Sequence, residues 1–157
     1  MLRLTTLVLV LTFVIDTAAE SSVALRSRDE AFARQLFADV ISMDTSVIKA
    51  ETPRMVAYLS RHLQDAGFGA NEIIEVPFDS GMSSLIVKYT GSSPEKEAIA
   101  FMAQLDVGTA FRKDWELDPF TLTEHDGYFI GRGTADNKAG VVGLTATFIK
   151  LKKAGYI

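Results

Sequence analysis

Two carboxylates stand where chemistry could be done. Asp106 follows Gln104 by two residues at the end of an apolar run, and Asp136 lies within GRGTADNKAG, residues 131–140. Each falls just beyond a predicted strand, and in α/β sheets ligands and metals gather outside the carboxyl ends of strands. A carboxylate among tight glycines suits a cation, because glycine lets the backbone turn close to the site. Asp136 also suits a plainer role, as N-cap of a helix that begins near Asn137. Gln104 offers a neutral amide oxygen, a poor partner for zinc beside imidazole or carboxylate. A histidine at that position would form a strong pair with Asp106, a ligand and the carboxylate that orients it. The plainer reading of Gln104 and Asp106 is a polar strand end hydrogen-bonded into its loop.

Other chemistries fail on spacing or on residue type. Gly131-Arg132-Gly133 before a helix invites a phosphate loop, but Lys138 follows Asn137 rather than a glycine. The dinucleotide fingerprint needs a glycine where Asp136 stands, and a carboxylate there repels phosphate. The chain has no cysteine, which excludes disulfides, thiolate metal sites and cysteine nucleophiles. His62 has no ligand partner four residues away, and His125 sits at a predicted turn, so both read as surface or boundary residues. Net charge is -4 with the two signs mixed along the chain, which argues against nucleic acid as the main partner.

The elements that must position the carboxylates follow from periodicity and punctuation. Phe32, Leu36, Phe37, Val40 and Ile41 recur at helical spacing and predict a helix over Arg28–Met43, with Asp29 and Glu30 in its first turn. ISMDTS, residues 41–46, ends it. A second helix starts near Thr52, with Thr52 as cap, Pro53 in the first turn and Gly67 as the stop. Short strands are predicted at Ile73–Phe78 and Leu85–Tyr89. Ala98–Ala103 is almost wholly apolar and reads as a central strand buried on both faces. Phe120–Thr123 and Tyr128–Ile130 flank Asp126-Gly127, a hairpin signal. A last helix runs from about Lys138 to Ala154, with lysines near its end and Gly155 closing it. The order of elements is that of an α/β domain.

With 157 residues, 48% of them apolar, the chain suffices for one ordinary domain. Its beginning reads differently. Arg3, an apolar run over Leu4–Ile15 and the small residues Thr17, Ala18 and Ala19 have the layout of a secretory signal, with cleavage expected after Ala19. The run is too short for a stable membrane span, which takes about 20 residues. The alternative is a buried N-terminal helix or an uncleaved anchor. The expected division is a signal peptide over 1–19 and a domain over 20–157, secreted or periplasmic.

Taken jointly, AQLDV at Ala103–Val107, Trp115, Asp118-Pro119-Phe120, Asp126-Gly127 and GRGTADNKAG at Gly131–Gly140 resemble the zinc aminoacylase and carboxypeptidase family. That family includes acetylornithine deacetylase, succinyl-diaminopimelate desuccinylase and glutamate carboxypeptidase. The early ISMDTS also resembles the family's, and the likeness covers about Arg28–Ile157. The resemblance implies an α/β fold: part of a co-catalytic zinc peptidase catalytic domain, a mixed sheet with helices on both faces, truncated before completion. It implies two zinc ions bridged by Asp136, a cis peptide between Asp136 and Asn137, and Asp106 as the carboxylate that supports a metal ligand. Gln104 then occupies the histidine ligand's place, a departure from the family. The general base and a further ligand, adjacent glutamates, belong downstream of this region, as does an inserted dimerisation domain. The expectation is therefore an N-terminal portion of a secreted hydrolase of peptides or N-acyl amino acids, without catalysis of its own. A pseudoenzyme or truncated product, and a small α/β binding module, are the other readings.

Overall fold

The computed structural model describes residues 24–93 and 95–156. The signal-like segment and the expected cleavage point lie outside them. Two compact units are distinguished, divided between Phe32 and Ala33. In the first, residues 24–32 are helical, and Ser27 Oγ donates to the carbonyl of Ala24 at 2.9 Å. Helix is already present at residue 24, so Asp29 and Glu30 do not form a first turn.

The second unit begins in helix α1, residues 33–41, and continues through α2 (Thr52–Asp65), β1 (Ile73–Pro77), β2 (Ser83–Val87), β3 (Thr123–His125), β4 (Tyr128–Ile130) and α3 (Lys138–Lys153). Its core is helical in origin. Leu36, Val40 and Ile41 of α1 and Met55, Val56, Leu59 and Leu63 of α2 are all at most 1% exposed. Side chains of this size contribute about 1.5–3 kcal/mol each on full burial. Tyr58 Oη donates to Asp39 Oδ2 at 2.6 Å and ties α2 to α1. Burial, then the Asp39 carboxylate itself, push the Tyr58 hydroxyl well above its ordinary range.

α2 starts and stops where its punctuation dictates. Proline occupies its first turn and Gly67 leaves the helix at φ 99°. Glu51 takes the N-cap position, however, and Thr52 is inside the helix. The Thr52 hydroxyl accepts from the Ser83 amide at 2.8 Å instead, which docks the start of β2 onto α2. β1 and β2 form an antiparallel pair in register Ile73↔Val87 to Pro77↔Ser83. Ser60 Oγ donates to Glu75 Oε1 at 2.7 Å and seats β1 on the same helix.

β3 and β4 form the second hairpin, in register Thr123↔Ile130. Asp126 and Gly127 both have positive φ, 51° and 78°, as a two-residue I′ turn requires. β3 begins only at Thr123. Phe120 and Thr121 are drawn into a turn in which the Asp118 carboxylate accepts from the Phe120 amide at 2.9 Å and the Thr121 hydroxyl at 3.2 Å. Against α1 the hairpin is held by Phe37 edge-on to Phe129 at 5.5 Å, and by Arg34, which pairs with Glu124 and lies over the Phe129 ring.

The apolar run Ala98–Ala103 does not become the expected buried strand. It has no regular structure, and Ile99, Phe101 and Met102 are 80%, 62% and 90% exposed. A strand exists only through its ladder partners. Among the described residues both sheets are two-stranded, β1 with β2 and β3 with β4, and neither includes this run. No helix among the described residues is long and apolar enough to cross a membrane.

Candidate functional site

α3 decides the role of Asp136. The helix opens at Lys138, and its cap is Asn137, whose side-chain oxygen accepts from the Gly140 amide at 3.2 Å. Asp136 is therefore not the cap. It stays exposed, one residue earlier, across a cis Asp136-Asn137 peptide bond. The turn before it is compact. Gly133 has φ 92°, and its carbonyl accepts from the Lys138 amide at 2.9 Å.

Asp106 and Gln104 lie just after the run Ala98–Ala103. Both are exposed, and both line a cleft of about 630 Å³ with Asn137, Ser83, Leu85, Phe78 and Met102. The structure thus brings Gln104, Asp106 and Asn137 to one cleft, and Asp136, next to Asn137 in the chain, is not among the residues that line it. The segment that follows α1 supports this arrangement. Thr45 Oγ1 donates to the Leu105 carbonyl at 2.8 Å, and the Thr45 carbonyl accepts from the Val107 amide at 3.4 Å. His62 stacks edge-on against Tyr58 at 4.7 Å, and His125 is an exposed residue of β3; neither lines the cleft.

The other motif residues build the loop. The Arg132 guanidinium lies 5.2 Å from the centre of the Trp115 ring, and the Arg132 amide donates to the Pro119 carbonyl at 2.7 Å. A Cβ on Gly131 would stand 3.1 Å from Ile41 Cγ2, which explains the glycine at that close approach.

The residue that spacing did not single out is Lys138. It is 0% exposed. Its ammonium donates to the carbonyls of Val40 at 2.9 Å and Met43 at 2.6 Å, at the end of α1. The same carbonyls accept from the Met43 amide at 3.4 Å and the Thr45 amide at 3.0 Å, and cations are favoured at a helix C-terminal end. Burial pulls the ammonium down from 10.5 to about 8, against the opposing field of Asp44 and Glu51. A signal was present in the sequence: a lysine in the first turn of α3 works against its own helix dipole.

The donors suit a cation only in part. Two carboxylates can serve a divalent ion, but Gln104 supplies an amide oxygen where zinc favours imidazole. Among the described residues no three His, Cys, Asp or Glu side chains are grouped to hold a metal. The set as described falls short of a closed two-zinc centre.

Residues 100–156 match the profile of Peptidase family M20/M25/M40. The chain is 35% identical over 96 residues to Beta-Ala-His dipeptidase of Mus musculus, covering 57% of this chain and 20% of that protein. It is 39% identical over 90 residues to acetylornithine deacetylase of Arabidopsis thaliana, again 57% of this chain and 20% of the relative. A probable succinyl-diaminopimelate desuccinylase of Staphylococcus aureus (strain MW2) is 31% identical over 120 residues, 76% of this chain and 28% of its own. Among solved structures, human carnosine dipeptidase 1 superposes with a TM-score of 0.66 at 26% identity, over 85% of this chain and 31% of that one. The chain thus spans less than a third of the length of the relatives it matches.

Proposed function

From its kinship with the M20/M25/M40 peptidases over their amino-terminal part, we propose that this chain supplies the first part of the catalytic domain of a hydrolase that cleaves peptide or amide bonds. The observation that carries the reading is the turn at residues 133–137. Asn137 does the capping, so Asp136 is left with its carboxylate exposed, where the resemblance calls for the bridging metal ligand. In this reading Asp136 binds the cation, Asp106 orients the ligand at position 104, and the substrate is a peptide or an N-acyl amino acid. A bound zinc would supply Lewis acidity toward the scissile carbonyl. The chain's own residues hold and orient; no general base is assigned among them, and the 157 residues alone are expected not to hydrolyse substrate. Arg3 and the apolar run behind it support export.

Gln104 supports a second reading, a non-catalytic relative, because it replaces a strong ligand by a weak one. Calorimetric zinc titration of the purified chain bears on both. The first reading expects zinc binding that is lost in Asp136→Ala and strengthened in Gln104→His. Unchanged binding in Asp136→Ala removes Asp136 from the site, and Gln104→His without effect removes position 104 from it, and with it the ground of the non-catalytic reading.

A further inference from the structure

Lys138 touches both halves of the candidate site without lining it. A Cβ on Gly133 would stand 2.9 Å from Lys138 Cδ, 3.0 Å from Lys138 Cγ and 2.9 Å from Val107 Cγ1. The lysine stem, the Gly133 backbone and the Val107 side chain therefore meet in one tight contact. Val107 follows Asp106 directly, and Gly133 begins the turn that carries Asp136. The far end of the same lysine holds the Val40 and Met43 carbonyls. From Met43 the chain runs into Thr45, which grips Leu105 and Val107. The buried ammonium thus closes a circuit through the end of α1, residues 105–107 and residues 133–138.

We propose that Lys138 is a positioning residue, which sets Asp106 and Asp136 relative to one another by clamping the Gly133 turn onto Val107 and the end of α1. The inference rests on the reading that these two aspartates serve a cation. An apolar side chain of equal length would fill the space but withdraw the charge-assisted bonds from two carbonyls whose other donors are the Met43 amide at 3.4 Å and the Thr45 amide at 3.0 Å. The ammonium, and not volume alone, ties the turn to the segment 40–43.

The absence of native cysteine gives a direct test. Lys138→Cys carries a single thiol, which can be alkylated in denaturant and the chain then refolded. Bromoethylamine restores an ammonium on a side chain of nearly lysine length; bromopropane gives a neutral chain of similar size. NMR reads the proton contact between Gly133 and Val107 and the amide positions of Asp106 and Asp136. The aminoethyl chain is expected to match the parent. The propyl chain is expected to lose the contact, to shift both aspartates and, if the parent binds zinc, to bind it at least about tenfold more weakly, as loss of an orienting partner does. A propyl chain indistinguishable from the parent overturns the proposal. Val107→Ala opens the same contact by a small deletion and guards against misfolding of the propyl chain. It should move the Asp136 signals as well as those of its own neighbours, and movement confined to residues 105–107 overturns the proposal too. A parent chain that takes no zinc but passes the contact tests counts against the proposed function and leaves the clamp standing.

Discussion

Gly133→Ala should be among the most damaging single-methyl additions in this protein. Two costs add. At φ 92° an L-residue pays the steric penalty of the left-handed side, about 1–2 kcal/mol. The new Cβ would also meet Lys138 Cδ and Val107 Cγ1, each at 2.9 Å. Lysine stems usually swing aside, but this one is 0% exposed and held at its far end by two carbonyls, so it has nowhere to go. Overpacking of this kind costs about 1–3 kcal/mol. The sum is about 2–5 kcal/mol, a large part of the roughly 5–15 kcal/mol that stabilises a typical domain. Urea unfolding followed by circular dichroism measures it. With a slope of about 1.5–2 kcal/mol per molar, the midpoint should fall by about 1–3 M. Gly127→Ala is the internal control. Its φ is 78°, but nothing lies within 4 Å of the added methyl, so only the conformational cost applies. If Gly133→Ala costs no more than Gly127→Ala, the tight contact at Lys138 is wrong, and the clamp inferred from it falls as well.

Three further outcomes are expected. Asn137→Ala should cost about 1 kcal/mol in thermal melts through loss of the α3 cap, while Asp136→Ala leaves stability nearly unchanged; the reverse order would return the cap to Asp136. Leu59→Ala, at a site 1% exposed, should cost about 2–5 kcal/mol, whereas Ile99→Ala, at 80% exposure, should stay within about 0.5 kcal/mol. A core-sized loss at Ile99 would mean that the run Ala98–Ala103 is buried after all. The Glu72 carboxyl is held below its ordinary 4.5, chiefly by the hydrogen bond from Lys152 and then by the Gly69 amide. Its folded pKa is depressed, so the stabilisation is complete above about pH 4.5 and is lost as pH falls through the folded value. Melting temperatures of the parent and of Lys152→Met should differ at pH 6 and converge toward pH 3, and a gap that stays constant with pH would show that Lys152 acts by packing on Phe68 and Tyr89 alone.

Much of the fold was legible because its signals are local. Helix spacing, a proline in the first turn, Gly67 at the exit and Asp126-Gly127 at the hairpin act over a few residues, and each appears where the sequence put it. The joint order of the short motifs carried the resemblance to the family for a similar reason, and residues 100–156 match the family profile. The cis bond at Asp136-Asn137 also stands where that resemblance placed it.

What tertiary structure alone decided depends on groups far apart in the chain. Asp and Asn both cap well, and only the path of the backbone into α3 assigned the cap to Asn137 and left Asp136 exposed. Thr52 exchanged a capping role for a bond to Ser83, 31 residues away. Ala98–Ala103 has the composition of a buried strand, but a ladder needs a neighbour, and composition cannot supply one. Lys138 shows the limit most clearly. Its partners, the Val40 and Met43 carbonyls, lie 98 and 95 residues back, and no periodicity reports on a side chain whose function is to join two helix ends in space.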